Sequence, residues 1–377
     1  SGVAVAIAMG GPGAIFWMWI SAVVGMSTKF FTSSLAIMYR GKDSEGELQG
    51  GPMYFITEGL GKKWKPLAIF FSACAMIGAL PVFNVNQLTQ AVNDILLEPN
   101  GVEVTNYTNL GIGVFLVIIT SIVVLGGLKR IGKVTARLVP SMVFLYFILV
   151  VIILIVNIEV VPKYFMMIFT DAFSADFINE ESFFGGVVGA LIILGIKRGA
   201  FSNEAGVGTA PMAHGAAKTD EPVREGLVAM LGPFIDTIIV CTLTALAILV
   251  TEVWQTTDTN GVSLTATAFG NAMPGVGKYL LMICVAIFSI SSLFSYSYYG
   301  TKSLSFLVGS KYKHLYNYLF IGSILIGATA SLDTMINLID SAFALMAIRT
   351  MLATIILAPK VMKEAKTYSI KLKNSRD

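Results

Sequence analysis

The chain has 377 residues, of which 55% are hydrophobic and only 13% charged, with a net charge of +3. A mean hydropathy of +0.76 does not suit a water-exposed surface, and so small a net charge gives nucleic-acid binding no support. The apolar residues fall in blocks of about 20 or more, the length that crosses a ~30 Å hydrocarbon core. The expected fold class is therefore an all-α polytopic membrane protein in a lipid bilayer.

Ser1–Gly10 has no basic n-region and no cleavage site, so it is not a signal peptide. Its length reads as half a helix, and the chain is expected to begin inside a membrane element. A Gly-Pro turn at Gly11-Pro12 follows. Apolar segments then recur at about Gly11–Tyr39, Pro66–Leu97, Asn109–Gly127, Leu138–Asn157, Phe183–Ile196, Phe201–Ala217, Val223–Thr251, Val276–Val308, Leu315–Ala330 and Leu332–Leu357. The two segments flanking Lys197-Arg198-Gly199 are too short to span separately and read as one broken helix. Glycine reaches 36 residues, as packed membrane helices allow. Cys74, Cys241 and Cys284 lie in apolar stretches without metal-type spacing and read as packing residues.

The charges between segments alternate. Arg40–Lys65 and Leu128–Arg137 are basic and expected to be cytoplasmic; Glu98–Asn109 and Glu159–Glu181 are acidic and expected to be external. Lys197–Arg224, then Lys311 and Lys313, then the Lys-rich tail continue the cytoplasmic series. The organisation expected is a first repeat over 1–157, an external connection over 158–182, a second repeat over 183–358 and a cytoplasmic basic tail over 359–377. The two repeats enter the membrane from opposite sides, the inverted arrangement of many secondary transporters.

Several blocks carry a more specific signal. Gly10–Trp19 with Gly25-Met26 and Thr28-Lys29, then Gly51-Pro52-Met53-Tyr54, then Lys197–Gly208 through Ala213-His214 to Lys218-Thr219-Asp220, and then Phe234-Ile235-Asp236-Thr237 and Tyr298-Tyr299-Gly300, resemble the alanine or glycine:cation symporter family. The resemblance covers nearly the whole chain, in order. It implies a LeuT-type fold of two inverted five-helix repeats with broken first helices, importing alanine or glycine with sodium across the cell membrane. Family members carry a Gly-Thr-Gly-Asn stretch just before the position of Ser1, so the chain looks like a symporter missing its N-terminal portion. It departs from the pattern at Thr32 and Thr301, where many members have Glu, at Asn84, where Gln is usual, and at Arg349-Thr350, where Pro-Asn is common.

The candidate substrate segment is the break, placed at Gly199–Glu204. Gly199, Ser202 and Asn203 would offer polar groups to a carboxylate, and Phe201 would cover a small side chain. The alternative is that Lys197 and Arg198 mark a helix end which Ser202-Asn203-Glu204 cap. Asn84, Asn86, Gln87 and Gln90 form a polar patch in the second spanning segment. It reads either as substrate contact or as interhelical glue. Tyr296 sits where the family's Trp is expected and would close the pocket. Ser291, Ser292 and Ser295 are sodium candidates by similarity to the LeuT-type fold, because sodium prefers oxygen ligands; the competing reading is hydroxyls bonded back to their own helix. Asp236, Asp340 and Arg349 are ionisable residues within apolar segments, with pairing or snorkelling as the plainer reading.

The function expected is sodium-coupled symport of alanine or glycine, with Na+ as coupling ion and no cofactor. A sodium-independent carrier, proton-coupled or exchanging, and an ion channel are the competitors. An intramembrane enzyme is disfavoured, since the two histidines, His214 and His314, lie in separate regions without an HExxH pattern. Alanine against glycine and the oligomeric state are not readable from the sequence.

Overall fold

The computed structural model describes residues 2–46, 48–173, 187–257 and 259–374. The start of the segment expected at Phe183–Ile196, and the end of the external connection, lie outside the described residues. Within them the regular structure is helical apart from one two-stranded ribbon, in which β1 (Gly41–Lys42) pairs antiparallel with β2 (Leu48–Gln49). Seven helical stretches are long and apolar enough to span a membrane: Gly13–Met38, Lys62–Asn100, Asn106–Val124, Arg130–Val156, Pro222–Leu249, Gly277–Val308 and Leu332–Asn374. Their outward faces carry large apolar side chains such as Phe115, Ile118, Phe144 and Ile155, which a lipid phase accommodates.

Helix α1 (Gly2–Gly10) ends at the Gly-Pro turn, and α2 (Gly13–Met38) starts beyond it. Gly11 has φ +67°, a left-handed conformation that glycine adopts without penalty. The Gly13 N–H donates to Asp171 Oδ2 at 2.7 Å, so a carboxylate satisfies an orphan donor at the positive end of α2. After the ribbon come α3 (Pro52–Tyr54) with a wide turn over Phe55–Leu60, then α4 (Lys65–Gly78) and α5 (Val82–Val92). Pro81 separates the last two, because proline supplies no N–H to continue a helix. Helices α6 (Asn106–Val124), α7 (Leu128–Val156) and α8 (Val161–Ala172) complete the first half.

The second half comprises α9 (Val187–Asn203), α10 (Thr209–His214), α11 (Pro222–Pro233), α12 (Thr242–Leu249), α13 (Val253–Thr256), α14 (Gly261–Ala272), α15 (Gly277–Val308), α16 (Lys313–Thr329) and α17 (Leu332–Asn374). Between α11 and α12, Phe234–Cys241 winds as a π-helix. Pro233 removes a ladder donor there, and the widened turn absorbs the defect. α17 runs unbroken through Pro359 to Asn374, so the stretch expected as a tail continues the last spanning helix.

The basic connections assigned to one side do meet at one end of the bundle. Lys313 Nζ lies 2.7 Å from Glu45 Oε2, Lys371 Nζ 3.0 Å from Glu221 Oε1 and Lys360 Nζ 3.3 Å from Gly59 O. Arg40 caps the chain after α10, donating from Nε to Gly215 O and from Nη1 to Thr219 O, both at 2.9 Å. Away from that end, Asp94 accepts from Ser263 Oγ and Glu252 from Tyr164 OH, which ties the turn after α5 to α14, and α8 to the start of α13.

A candidate substrate and ion site

The broken helix is present, but its break is not at Gly199–Glu204. α9 stays helical through Asn203, and the chain unwinds over Glu204–Gly208 before α10 begins. Glu204 has φ +54°, Gly206 +81° and Gly208 +108°; three left-handed residues in five cannot continue an α-helix. Charge at Lys197-Arg198 suggested the earlier position. Those side chains instead converge on Asp340 of α17: Arg198, 3% exposed, pairs with Asp340 Oδ2, and Lys197 Nζ reaches the same oxygen at 2.7 Å. The charges mark an ion pair inside the bundle, not a helix end.

Gly199 is accordingly a packing residue. A Cβ there would stand 2.9 Å from Ser21 Cβ and 3.2 Å from Met18 O, so its absence lets α9 lie against α2. Gly195 does the same one turn earlier, where a Cβ would meet Trp17 Cβ at 2.5 Å.

The neighbouring residues do assemble at the break. Asn203 Nδ2 donates to Thr237 Oγ1 at 3.1 Å, and Asn203 Oδ1 accepts from Ala205 N–H at 2.9 Å. Ser202 Oγ donates to Asp236 Oδ2 at 2.6 Å, and Thr237 Oγ1 donates to the same oxygen at 3.1 Å. Asp236 and Thr237 belong to the π-helical turn, so the widened segment faces the unwound one. Gly25 of α2 closes a third side, since a Cβ there would meet Ala205 Cβ at 3.0 Å. The inner end of α1 reaches this neighbourhood as well: Val3 and Ala4 share an apolar cluster with Cys241, whose Sγ lies 3.4 Å from Ser202 Oγ.

Glu204 ties the site together. Its Oε1 accepts from Tyr296 OH at 2.6 Å and its Oε2 from Thr209 Oγ1 at 2.5 Å. One carboxylate thus holds α15 against the start of α10, through charge-assisted bonds roughly twice as strong as neutral ones. Lys29 of α2 lies within Coulombic reach of Glu204 and Asp236. Val207 C=O accepts from Thr350 Oγ1 at 3.2 Å. Phe201 stacks edge-on with Phe83 of α5 at 5.2 Å between centroids, and lies 5.7 Å from Phe343 of α17.

Other sequence candidates are engaged elsewhere. Asn86 Nδ2 donates to Ala330 O at 2.7 Å, linking α5 to the α16–α17 junction. Gln87 Oε1 accepts from Val262 N–H at 3.2 Å, and its Nε2 donates to Gln90 Oε1 at 3.1 Å, tying α5 to α14. Half-buried Asn84 makes no hydrogen bond among the described residues. Ser291 Oγ donates back to Phe288 O at 2.9 Å and Ser295 Oγ to Ser291 O at 3.1 Å. Ser292 makes no hydrogen bond among the described residues, and it stands one turn before Tyr296 on the same face of α15, the face that reaches Glu204. Arg349 stacks over Phe70 at 4.0 Å and donates to Leu345 O at 2.8 Å.

A helix unwound between two spanning neighbours, with polar side chains turned onto the exposed backbone, is the construction of secondary transporters. The chain belongs to the sodium:alanine symporter family, whose description matches residues 1–377; its relatives are transporters, not enzymes. It is 41% identical to the sodium/alanine symporter AgcS of Methanococcus maripaludis, over 99% of this chain and 81% of that one. The amino-acid carrier protein AlsT of Bacillus subtilis is 32% identical over 100% of this chain and 78% of its own length. The probable sodium/glutamine symporter GlnT of the same organism is 33% identical over 100% and 76%.

Glu204 bounds the segment expected from the sequence and reads there only as a helix cap; its tie between α15 and α10 was not expected. The signal for it was the pair Gly206 and Gly208 just downstream, since closely spaced glycines mark where a helix loses its ladder.

Proposed function

We propose that the protein is a secondary active symporter that carries a small neutral amino acid, alanine or glycine, with sodium, and alternates access by rocking one helix bundle against the other. The observation that carries this reading is the unwound stretch Glu204–Gly208. Backbone released from a helical ladder at membrane depth must find other partners, and a zwitterion with a cation supplies both kinds: N–H groups meet the carboxylate, and C=O groups meet sodium. Phe201 and Tyr296 flank the stretch and would limit the pocket to a small side chain; Ser202 and Asn203 shape its polar wall. Ser292, the hydroxyl on the Tyr296 face of α15 without a hydrogen bond, is the strongest of the sodium candidates; Ser291 and Ser295 would act only by exchanging their backbone partners. Family membership and the sodium/alanine name of the Methanococcus maripaludis relative support the choice of substrate and ion.

The fold in this reading is LeuT-type, with inverted repeats over 1–157 and 183–358, in the cell membrane with a cytoplasmic C-terminus. Support comes from the order of helices on either side of residues 158–182 and from the gathering of the basic connections at one end.

The test is uptake of radiolabelled alanine and glycine by proteoliposomes under an inward sodium gradient. Uptake that collapses when potassium replaces sodium is expected. Uptake indifferent to that replacement would instead make the protein a sodium-independent carrier. Competition by leucine or phenylalanine equal to that by alanine would contradict the small pocket.

A further inference from the structure

At the end of the bundle where the basic connections gather, a cavity of about 560 Å³ opens between the ribbon, the start of α7, and α15 and α16. That volume is ample for a small molecule. Two walls tie it to the site above. Ala216, just past α10, lines it, as do Ser297, Tyr298 and Thr301, which continue α15 beyond Tyr296. The cavity therefore runs along α15 beyond Tyr296 and meets the chain just past α10.

Its charges are unusual for a packing void. Lys302 lines it, although only 6% of the residue is exposed. The ammonium donates to Met212 O at 3.0 Å and sits 4.5 Å over the Tyr298 ring, and no carboxylate lies at ion-pair distance from it among the described residues. A lysine has three donors, and a buried cation without a counter-charge is costly. Asp43 of the ribbon lines the same cavity; Arg40 and then Asp43 lie within Coulombic reach of Lys302, and neither pairs with it. Among its partners the Asp43 carboxylate accepts from Glu45 N–H at 2.9 Å to Oδ1 and from Gln49 Nε2 at 3.1 Å to Oδ2. The cavity thus presents the buried Lys302 amine and the oriented Asp43 carboxylate, set apart from each other; Lys313, held by Glu45 at 2.7 Å, and His314 also line it.

We propose that this cavity is a second binding site for the transported zwitterion, in which Lys302 takes the carboxylate and Asp43 the ammonium of an amino acid entering or leaving at the inner face. The inference rests on the symport reading above. It gives the substrate a staging site where each of its charges meets an opposite one.

The experiment measures the KM for sodium-dependent alanine transport at each face, with whole cells for the outer face and inside-out membrane vesicles for the inner. Lys302→Gln and Asp43→Asn are each expected to raise the inner-face KM about tenfold, the loss of one charge-assisted contact, and to leave the outer-face KM within twofold. Lys302→Arg, which keeps the charge, is expected to return the inner-face value to within threefold of the wild type. Lys302 also holds Met212 O, so a purely structural effect would shift both faces together; that result, or an inner-face KM unmoved in Asp43→Asn, overturns the second site while leaving symport intact. Absence of sodium-driven uptake by the wild-type protein at both faces would overturn the symport reading and this inference with it.

Discussion

Replacing Asp340 with Asn tests whether the charges before the break are structural. Arg198 is 3% exposed and the Asp340 side chain 8%, so Asp340→Asn leaves a guanidinium in a low-dielectric interior facing a neutral amide. Breaking a buried pair from one side costs about 3–5 kcal/mol. Lys197 shares the same oxygen, but its side chain is 46% exposed, and such a pair contributes only about 0–1 kcal/mol. At about 2 °C per kcal/mol for a chain of this size, the single variant should lose roughly 6–10 °C in apparent melting temperature. The double variant Arg198→Met with Asp340→Leu removes both buried charges and should return to within about 2 °C of the wild type. The assay is the fraction of protein still monodisperse by size-exclusion chromatography in detergent after heating, run at one heating rate because such unfolding is irreversible. A single variant as stable as the wild type, or a double variant as unstable as the single one, would refute the argument from uncompensated charge.

Gly199→Ala should lower the apparent melting temperature, since its Cβ would meet Ser21 at 2.9 Å and overpacking costs about 1–3 kcal/mol; alanine KM should stay within twofold, whereas a large KM change with unchanged stability would return Gly199 to the binding site. Glu204→Gln, which keeps weaker versions of the Tyr296 and Thr209 bonds, should cut sodium-dependent uptake about tenfold, and Glu204→Ala should abolish it; wild-type uptake by the alanine variant would rule out the tie between α15 and α10. Ser292→Ala should raise the sodium concentration for half-maximal uptake about tenfold, the value of one lost ligand. Ser295→Ala, whose hydroxyl is already engaged with Ser291 O, should change it less than twofold, and the reverse order would reassign the sodium ligand.

The helices were legible because lipid leaves little choice: an apolar run of spanning length must close its own hydrogen bonds. The position of the break was not legible. Locally, Lys197-Arg198 looks like a boundary, and only Asp340, 142 residues away in sequence, makes it an interior pair. The polar patch on α5 was visible as polar, but whether Asn86 and Gln87 face a cavity or bridge helices depends on Ala330 and Val262, which no local pattern places beside them. Ser292 leads the three serine candidates already by the resemblance, and the structure adds that it shares the face of α15 from which Tyr296 reaches Glu204.

The length of α17 has a mechanical meaning. Asp340 near its start grips the helix before the break through Arg198, and Lys371 near its end grips Glu221, in the connection that follows α10. Thirty-one residues at 1.5 Å each put about 46 Å between those two grips, and Thr350 holds Val207 of the unwound stretch between them. One rod thus crosses the break like a splint across a joint. A change of angle between the two arms therefore carries α17 with it at the buried Arg198 grip, while the Lys371 grip, 73% exposed, is the one that lets go first.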